Sequence, residues 1–552
     1  MTKTSRIIAL MLAGLPVAAI AALPAPAFDT ARVSQDIKTL SSDAYEGRGP
    51  ATPGETKAVA YIVDQMQKAG LKPGGPIVNG QRTWTQDVPL LMSDITGSPK
   101  LSMNLAGTAK PLTQGTEIAV RAAMTGQNGV SIKDVPLVFV GYGVKAPERN
   151  WDDFKGVDLR GKILVLFVND PDFEGGEGDF GGKAMTYYGR WTYKYEEAAR
   201  QGAAGVLVIH EYEPASYGWA TVKNSNTNTM FDIVRQDPRA SHTQMEGWIQ
   251  KDLAAQLFKA SGLDFDAMKK AAQRRDFKPV PLKATMSADY QVAAKTIVSK
   301  NVLGRIDGKT HPDETVVYSG HWDHLGVGQP DAKGDTIYNG ALDNASGIAA
   351  LLELARVWAK EPQPDRSVAF LAVTAEEKGL LGSEFYAANP VYPLGTTVGV
   401  LNMDGPFGWS KTKDVTISGN AKLGLLDMLV ADAAKQGRRF TSDSKPEAGH
   451  FYRSDHFPFA KRGVPAISYS AGNDLVNGGV ERGKALDEAY TKDRYHQPAD
   501  EWSADWDSSS VPDDLGLLYN LGRELADSRL WPDWSADSEF KAARDQSKAE
   551  RK

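Results

Sequence analysis

The sequence contains no cysteine in 552 residues. No disulfide can staple it, so an exported form must draw its stability from the size of its core or from bound metal. Thiol chemistry is excluded with it. There is no lipid-modified cysteine near the N-terminus, and any metal must be held by histidine and carboxylate. Histidine is itself scarce, with eight in the chain. Neither sign of charge dominates: 63 Lys and Arg stand against 69 Asp and Glu, a net of −6. That balance gives no electrostatic case for nucleic-acid binding. Beyond the first two dozen residues, no run is apolar enough to span a bilayer.

Against these absences stand several positive signals. Lys3 and Arg6 precede an almost wholly apolar stretch, Ile7 to Leu23, and Ala25-Pro26-Ala27 follows as a small-residue cleavage site. This predicts a signal peptide over residues 1–27 and an exported, periplasmic or secreted, protein with no stable membrane insertion after cleavage. The chain as a whole has the composition of a soluble globular protein, 41% hydrophobic and 24% charged. It is too long for a single core, so two or more domains are expected.

Hydrophobic periodicity divides the chain. Helical spacing appears at Val33, Ile37 and Leu40, and again between Thr52 and Leu71, with Gly70 as a C-cap. Between them lies Tyr45-Glu46-Gly47-Arg48-Gly49-Pro50, a glycine-rich loop whose charges could border a site. Residues 76–125 read as irregular β structure. Strand-like runs at 135–140, 163–167 and 205–209, with a helix at 194–202, form an α/β module over 126–285. That module holds only His210 and His242, so it reads as a non-catalytic insert between residues 28–125 and 286–530. In the latter, paired strands are expected at 299–306 and 315–319. Further strands follow at 367–373, 399–403, 414–418 and 465–469, with helices at 343–360, 423–436 and 511–527. Strands alternating with helices predict a mostly parallel, doubly wound α/β sheet. Residues 531–552 read as a charged tail, frayed from about 538.

Residues able to carry chemistry gather where open sheets place ligands, at strand ends. His321 follows the run Glu314-Thr315-Val316-Val317-Tyr318, and Asp323 stands close enough to take its second ring N–H. Asp343 precedes a helix, Glu376 and Glu377 follow a buried strand, Asp404 ends another, and His496 sits in a Tyr-His-Gln-Pro turn. Singly, each has a plain structural role, such as capping for Asp343. Together, two histidines and three carboxylates, one of them bridging, would suit two zinc ions with room for water. Adjacent glutamates cannot face the same way. One can bind metal while the other takes the proton of an activated water and passes it to a leaving amine.

The motifs Ser-Gly-His321-Trp-Asp323-His, Gly-Ala-Leu-Asp343-Asn-Ala-Ser-Gly, Thr-Ala-Glu376-Glu377-Lys-Gly, Asn-Met-Asp404 and Tyr495-His496-Gln-Pro-Ala-Asp resemble the M28 family of zinc peptidases. They occur in the family's order across roughly residues 285–525. The middle module, with Gly-Tyr-Gly, Gly-Lys-Ile-Leu-Val and Gly-Ala-Ala-Gly-Val-Leu-Val, resembles a protease-associated insert. The resemblance implies two zinc ions per chain. His321, Asp343 and Asp404 would hold one; Asp343, Glu377 and His496 would hold the other. It also implies Glu376 as general base and then acid, Asp323 as the residue orienting His321, and Tyr495 as a donor to the oxyanion. A cis peptide after Asp343 is a further implication. Asp455 and His456 resemble a loop lining the substrate cleft. His324 and His450 read as supporting or surface residues, and Arg190, Tyr193 and Lys194 either as residues facing the cleft or, the reading preferred, as a solvated helix face. Cobalt or manganese would also suit a set this rich in carboxylate.

The implied function is an exported di-zinc aminopeptidase acting on peptides. The alternatives are a metallocarboxypeptidase or dipeptidase, which needs a cationic pocket for the substrate C-terminus, a one-zinc glutaminyl cyclase, and a non-catalytic binding protein. Residue preference, native metal, oligomeric state and the insert's role are not legible.

Overall fold

The computed structural model describes residues 26–175 and 178–551. The expected signal peptide, except its last two residues, lies outside the described residues. Among those described, no helix is long and apolar enough to cross a membrane.

The first helix, Thr30–Leu40, is started by Asp29, whose carboxylate accepts from the Arg32 N–H. The second, Pro53–Ala69, has Thr52 at its N-cap, proline in its first turn, and Gly70 in the left-handed region at its end. The first helix packs on the buried helix Ser346–Trp358. Its ion pairs Arg32–Glu353 and Asp36–Arg356, both 2.6 Å, fasten it to the main domain.

A sixteen-stranded sheet runs through the molecule. In one half, Ala466–Ala471, Thr397–Met403, His311–His321 and Arg366–Val373 lie side by side and parallel. Every residue of Arg366–Val373 and Thr397–Met403 is buried, as strands covered on both faces must be. Here the expected parallel α/β sheet is found. In the other half, Gly129–Phe139, Ile163–Phe167, Gly205–His210 and Met245–Gln250 form a second parallel block. That block has its own core, with Leu164, Val206 and Trp248 among the buried side chains.

Two long strands join the halves. Thr85–Leu105 and Val280–Ile306 pair antiparallel, and the latter also bonds to Gly129–Phe139 and to Arg366–Val373. Residue 285, where the insert was expected to end, therefore falls inside one continuous strand. The run at 299–306 does not pair with 315–319, because Arg366–Val373 lies between them. Sequence neighbours were taken for sheet neighbours, and the parallel crossover overrode that.

Two further expectations are corrected. The C-terminal segment is packed rather than frayed: Phe540 and Arg544 are buried, and the Arg544 guanidinium donates to the Thr397 carbonyl. Tyr193 and Lys194 are also buried, at 3% and 0% exposure. The helix Trp191–Arg200 turns them inward, where the Lys194 ammonium donates to the Tyr142 carbonyl.

Candidate metal centre

The parallel strands bring their carboxyl ends to one edge, and register does the rest. Ser319 lies opposite Asn402, so His321 and Asp404, each two residues on, are level. His321 pairs with Val373 across the other neighbour, and the chain then turns through Ala375, at φ 53°, into Glu376–Lys378. Asp343 arrives from the loop before Ser346–Trp358, with a cis bond to Asn344. His496 follows the helix Gly479–Asp493, which the sequence reading left unassigned.

Two groups of possible ligands form around one shared carboxylate. In the first, His321 Nε2 lies 3.3 Å from both Asp343 Oδ1 and Asp404 Oδ1. In the second, His324, Asp343 and Glu377 bring their donor atoms within 4.8 Å of one another. His496 Nε2 lies 3.1 Å from Asp343 Oδ2 and 3.1 Å from Glu377 Oε2. All five predicted ligands thus converge, and His324 joins them. It was read as a supporting or surface residue, but it is fully buried, with Nδ1 2.6 Å from Glu377 Oε1. The signal was the His-Trp-Asp-His spacing itself.

The neighbouring residues hold these groups in place. Asn344 donates to the Met403 carbonyl and accepts from the Gly347 and Gly405 N–H groups. That ties the Asp343 loop to the strand end carrying Asp404. The Ser454 hydroxyl donates to Asp404 Oδ2 at 2.8 Å. Asp500, fully buried, accepts from the Leu342 and Asp343 N–H groups and from the Tyr490 hydroxyl. Arg48, from the glycine-rich loop, donates to the carbonyls of Leu40, Trp322, Asn339 and Gly340. It therefore braces the segments bearing His321 and Asp343.

Asp323 plays a different part from the one expected. His321 Nδ1 is 3.1 Å from the Asp323 main-chain carbonyl and 3.8 Å from its carboxylate. The carboxylate instead accepts the Glu376 N–H at 3.1 Å. Through its backbone Asp323 orients His321, and through its side chain it holds the turn bearing Glu376.

Negative charge is concentrated here. Burial, with Glu377 and Asp404 close by, lifts the Glu376 carboxyl well above the usual carboxylate range, although His321 opposes the shift. Burial would lower the His321 imidazole, but Glu376 and Asp404 outweigh it and raise it well above its ordinary value. His324 Nδ1 and Glu377 Oε1 have only each other, 2.6 Å apart, and Asp323 Oδ2 and His324 Nε2 are buried without a hydrogen-bond partner. Such atoms normally find one. Four carboxylates (Asp343, Glu376, Glu377, Asp404) balance two divalent cations in charge, and an oxygen and imidazole donor set suits zinc. The residues present therefore fit the metal.

Tyr495 stacks on His496, ring centroids 3.9 Å apart, at the mouth of the site. Desolvation and the carboxylates Asp343 and Glu377 raise its phenol above the ordinary range, so it keeps its proton and can donate a hydrogen bond. Asp455 and His456 do not reach the cleft surface. Both are fully buried, Asp455 accepting from the Ser383 hydroxyl and His456 packed edge-on against Phe451. Arg453, two residues earlier, lines the cleft instead. His450 is half-buried and pairs with Asp443 at 2.8 Å.

A model of Peptidase family M28 matches residues 301–514, the stretch that holds every candidate ligand. A probable zinc metalloprotease of Pyricularia oryzae is 38% identical over 104 residues, covering 19% of this chain and 20% of its own length. Another, of Phaeosphaeria nodorum, is 34% identical over 126 residues, covering 21% and 25%. The match thus spans about a fifth to a quarter of the length of these curated relatives. Among solved structures, an aminopeptidase from Aneurinibacillus sp. strain AM-1 aligns with a TM-score of 0.46 at 20% identity, over 91% of this chain and 94% of its own. BSAP, a zinc aminopeptidase from Bacillus subtilis, aligns with a TM-score of 0.42 at 19% identity, over 91% and 96%.

Proposed function

Since residues 301–514 are a Peptidase family M28 domain, we propose that the protein is an exported zinc peptidase, an aminopeptidase removing N-terminal residues from peptides. The observation that carries this reading is Asp343, one carboxylate shared between two ligand groups, with Glu376 beside them. His321, Asp343 and Asp404 would hold one zinc; Asp343, Glu377 and His496 would hold the second, with His324 in reach of the same carboxylates. When bound, such a pair lowers the pKa of water towards about 7 and polarises the scissile carbonyl.

The chain's own groups supply the remaining chemistry. Glu376 takes the proton from the attacking water and delivers it to the leaving nitrogen. Its buried setting favours the protonated intermediate state, and the Asp323 carboxylate fixes the turn it stands on. The Tyr495 phenol donates to the carbonyl oxygen as that atom becomes negative, an interaction strongest in the transition state.

The test pairs elemental analysis with hydrolysis of aminoacyl-nitroanilides by wild type and Glu376→Gln. Two zincs per chain are expected in both proteins, with the variant's kcat lower by at least about 100-fold. A chain that takes up no zinc, or a variant as active as wild type, would overturn the reading.

A further inference from the structure

The metal centre opens into a cleft of about 380 Å³ whose far wall comes from the other half of the sheet. Charged side chains crowd the cleft, and nearly all are matched. Arg121 faces Glu246 at 3.7 Å, Arg235 pairs with Asp232 at 2.7 Å, and Lys461 with Glu196 at 2.8 Å. Lys378 rests over the Phe231 ring. Two guanidiniums stand apart from this pattern. Arg190 precedes the helix Trp191–Arg200, and Arg453 stands on the catalytic side just before Ser454. Among the described residues, neither has an ion pair or a side-chain hydrogen bond. Arg190 is 9% exposed, and its Nε is buried with no partner.

A buried guanidinium without a counter-charge is unfavourable by several kcal/mol. Arg190 is such a group, and Arg453, open to solvent on the same cleft, is close enough for Arg190 to feel its charge. Burial first, and Arg453 second, push the Arg190 guanidinium down to about 10. Arg453 in turn lies within the field of the Tyr217 and Tyr495 phenols and, more weakly, of the Asp443 carboxylate, which pairs with His450. Two positive charges repel the ammonium of a free peptide N-terminus, so they cannot serve that end of the substrate. A carboxylate matches the planar fork of arginine and would supply the missing partner.

We propose that Arg190 and Arg453, one from each half of the sheet, form the binding site for a carboxylate on the leaving side of the scissile bond. This deepens the peptidase reading, on which it rests, by naming a substrate class. The preferred substrates are short peptides whose leaving residue carries a carboxylate, either the chain's own C-terminus or an acidic side chain.

The test is calorimetric binding to the Glu376→Gln protein, which reads recognition apart from turnover. The probes are leucylglycine, leucylglycinamide and leucylglutamic acid α-amide. Leucylglycine is expected to bind at least about tenfold more tightly than its amide, the scale of a charge-assisted hydrogen bond. That ratio should collapse on adding Arg453→Gln or Arg190→Gln and be partly restored by Arg453→Lys. If the glutamyl amide binds as well as leucylglycine, the side-chain source is served; if only leucylglycine gains, the terminal carboxylate is. Arg453 is open to solvent, so its variant remains usable even if Arg190→Gln does not fold. Equal binding of all three peptides, or a preference undiminished in Arg453→Gln, would overturn the proposal. Nitroanilide hydrolysis bears on the peptidase reading alone, so either idea can fail without the other.

Discussion

Replacing Arg48 with methionine isolates one brace of the site. The guanidinium is 1% exposed and donates to four carbonyls: Nε to Trp322 at 2.8 Å, Nη1 to Leu40 and Asn339 at 2.7 Å each, and Nη2 to Gly340 at 2.8 Å. Methionine keeps much of the stem but offers no donor. Each buried carbonyl left unpaired costs about 1–3 kcal/mol, so four give roughly 4–12 kcal/mol. Against this, the folded state no longer buries a charge, a relief of several kcal/mol. Burial already pulls the Arg48 guanidinium down to about 10, with Asp323 and Asp500 opposing. The balance is a net loss of about 3 kcal/mol. It falls on the segments leading from His321 and into Asp343, so zinc affinity should drop as well, by about 10- to 100-fold. Urea unfolding monitored by tryptophan fluorescence measures the first effect, and competition with a chromogenic chelator the second. An unfolding midpoint shifted by less than about 0.5 kcal/mol would place Arg48 among ordinary surface positions and refute the argument. So would unchanged zinc affinity.

Two other perturbations probe separate contacts. Asp500→Asn replaces an acceptor facing the Leu342 and Asp343 N–H groups with a donor. Zinc affinity should fall by about 10- to 100-fold, and an unchanged value in the same competition assay would remove Asp500 from the metal-holding network. His242 lies between Asp232 at 2.8 Å and Glu246 at 3.0 Å, with Arg235 and Arg121 nearby. Burial lowers its imidazole, but the two carboxylates prevail and raise it from 6.5 to about 9. A raised folded-state value means stabilisation that is complete below pH 6.5 and is lost as pH rises through 9. Its size is about 3 kcal/mol. Urea midpoints at pH 6 and 9.5 should separate more for wild type than for His242→Gln; equal separations would contradict this.

Much of the site was legible because its geometry follows from register. A buried strand ending in His321 and another ending near Asp404 place their last residues at one edge whatever the loops do. Asp343, Glu376, Glu377 and His496 could be collected on the same principle. What escaped depends on how irregular turns point their side chains. Arg48 sits in a short turn with positive φ, a conformation no periodicity reveals. The Asp323 carboxylate turned away from His321 because the main-chain carbonyl filled the place next to Nδ1. The segment expected to line the cleft, Ser454 to Phe459, begins one residue after Arg453, a side chain that does. A reversal after His450–Tyr452 sends Arg453 into the cleft and Asp455 and His456 into the core. The C-terminal segment looked too polar to pack, yet Phe540 and the stem of Arg544 supply enough apolar surface to seat it.

The strand Val280–Ile306 gives the cleft its dimensions. It is bonded to Gly129–Phe139 near one end and to Arg366–Val373 at the other, with Thr85–Leu105 alongside for most of its length. The two jaws carrying Arg190 and the zinc ligands are thus set on a single beam, like a fixed-gap gauge. The gap cannot widen without breaking main-chain hydrogen bonds or bending the beam at its irregular step near Asp289. The width of the cleft is therefore a span written into the pairing of three strands.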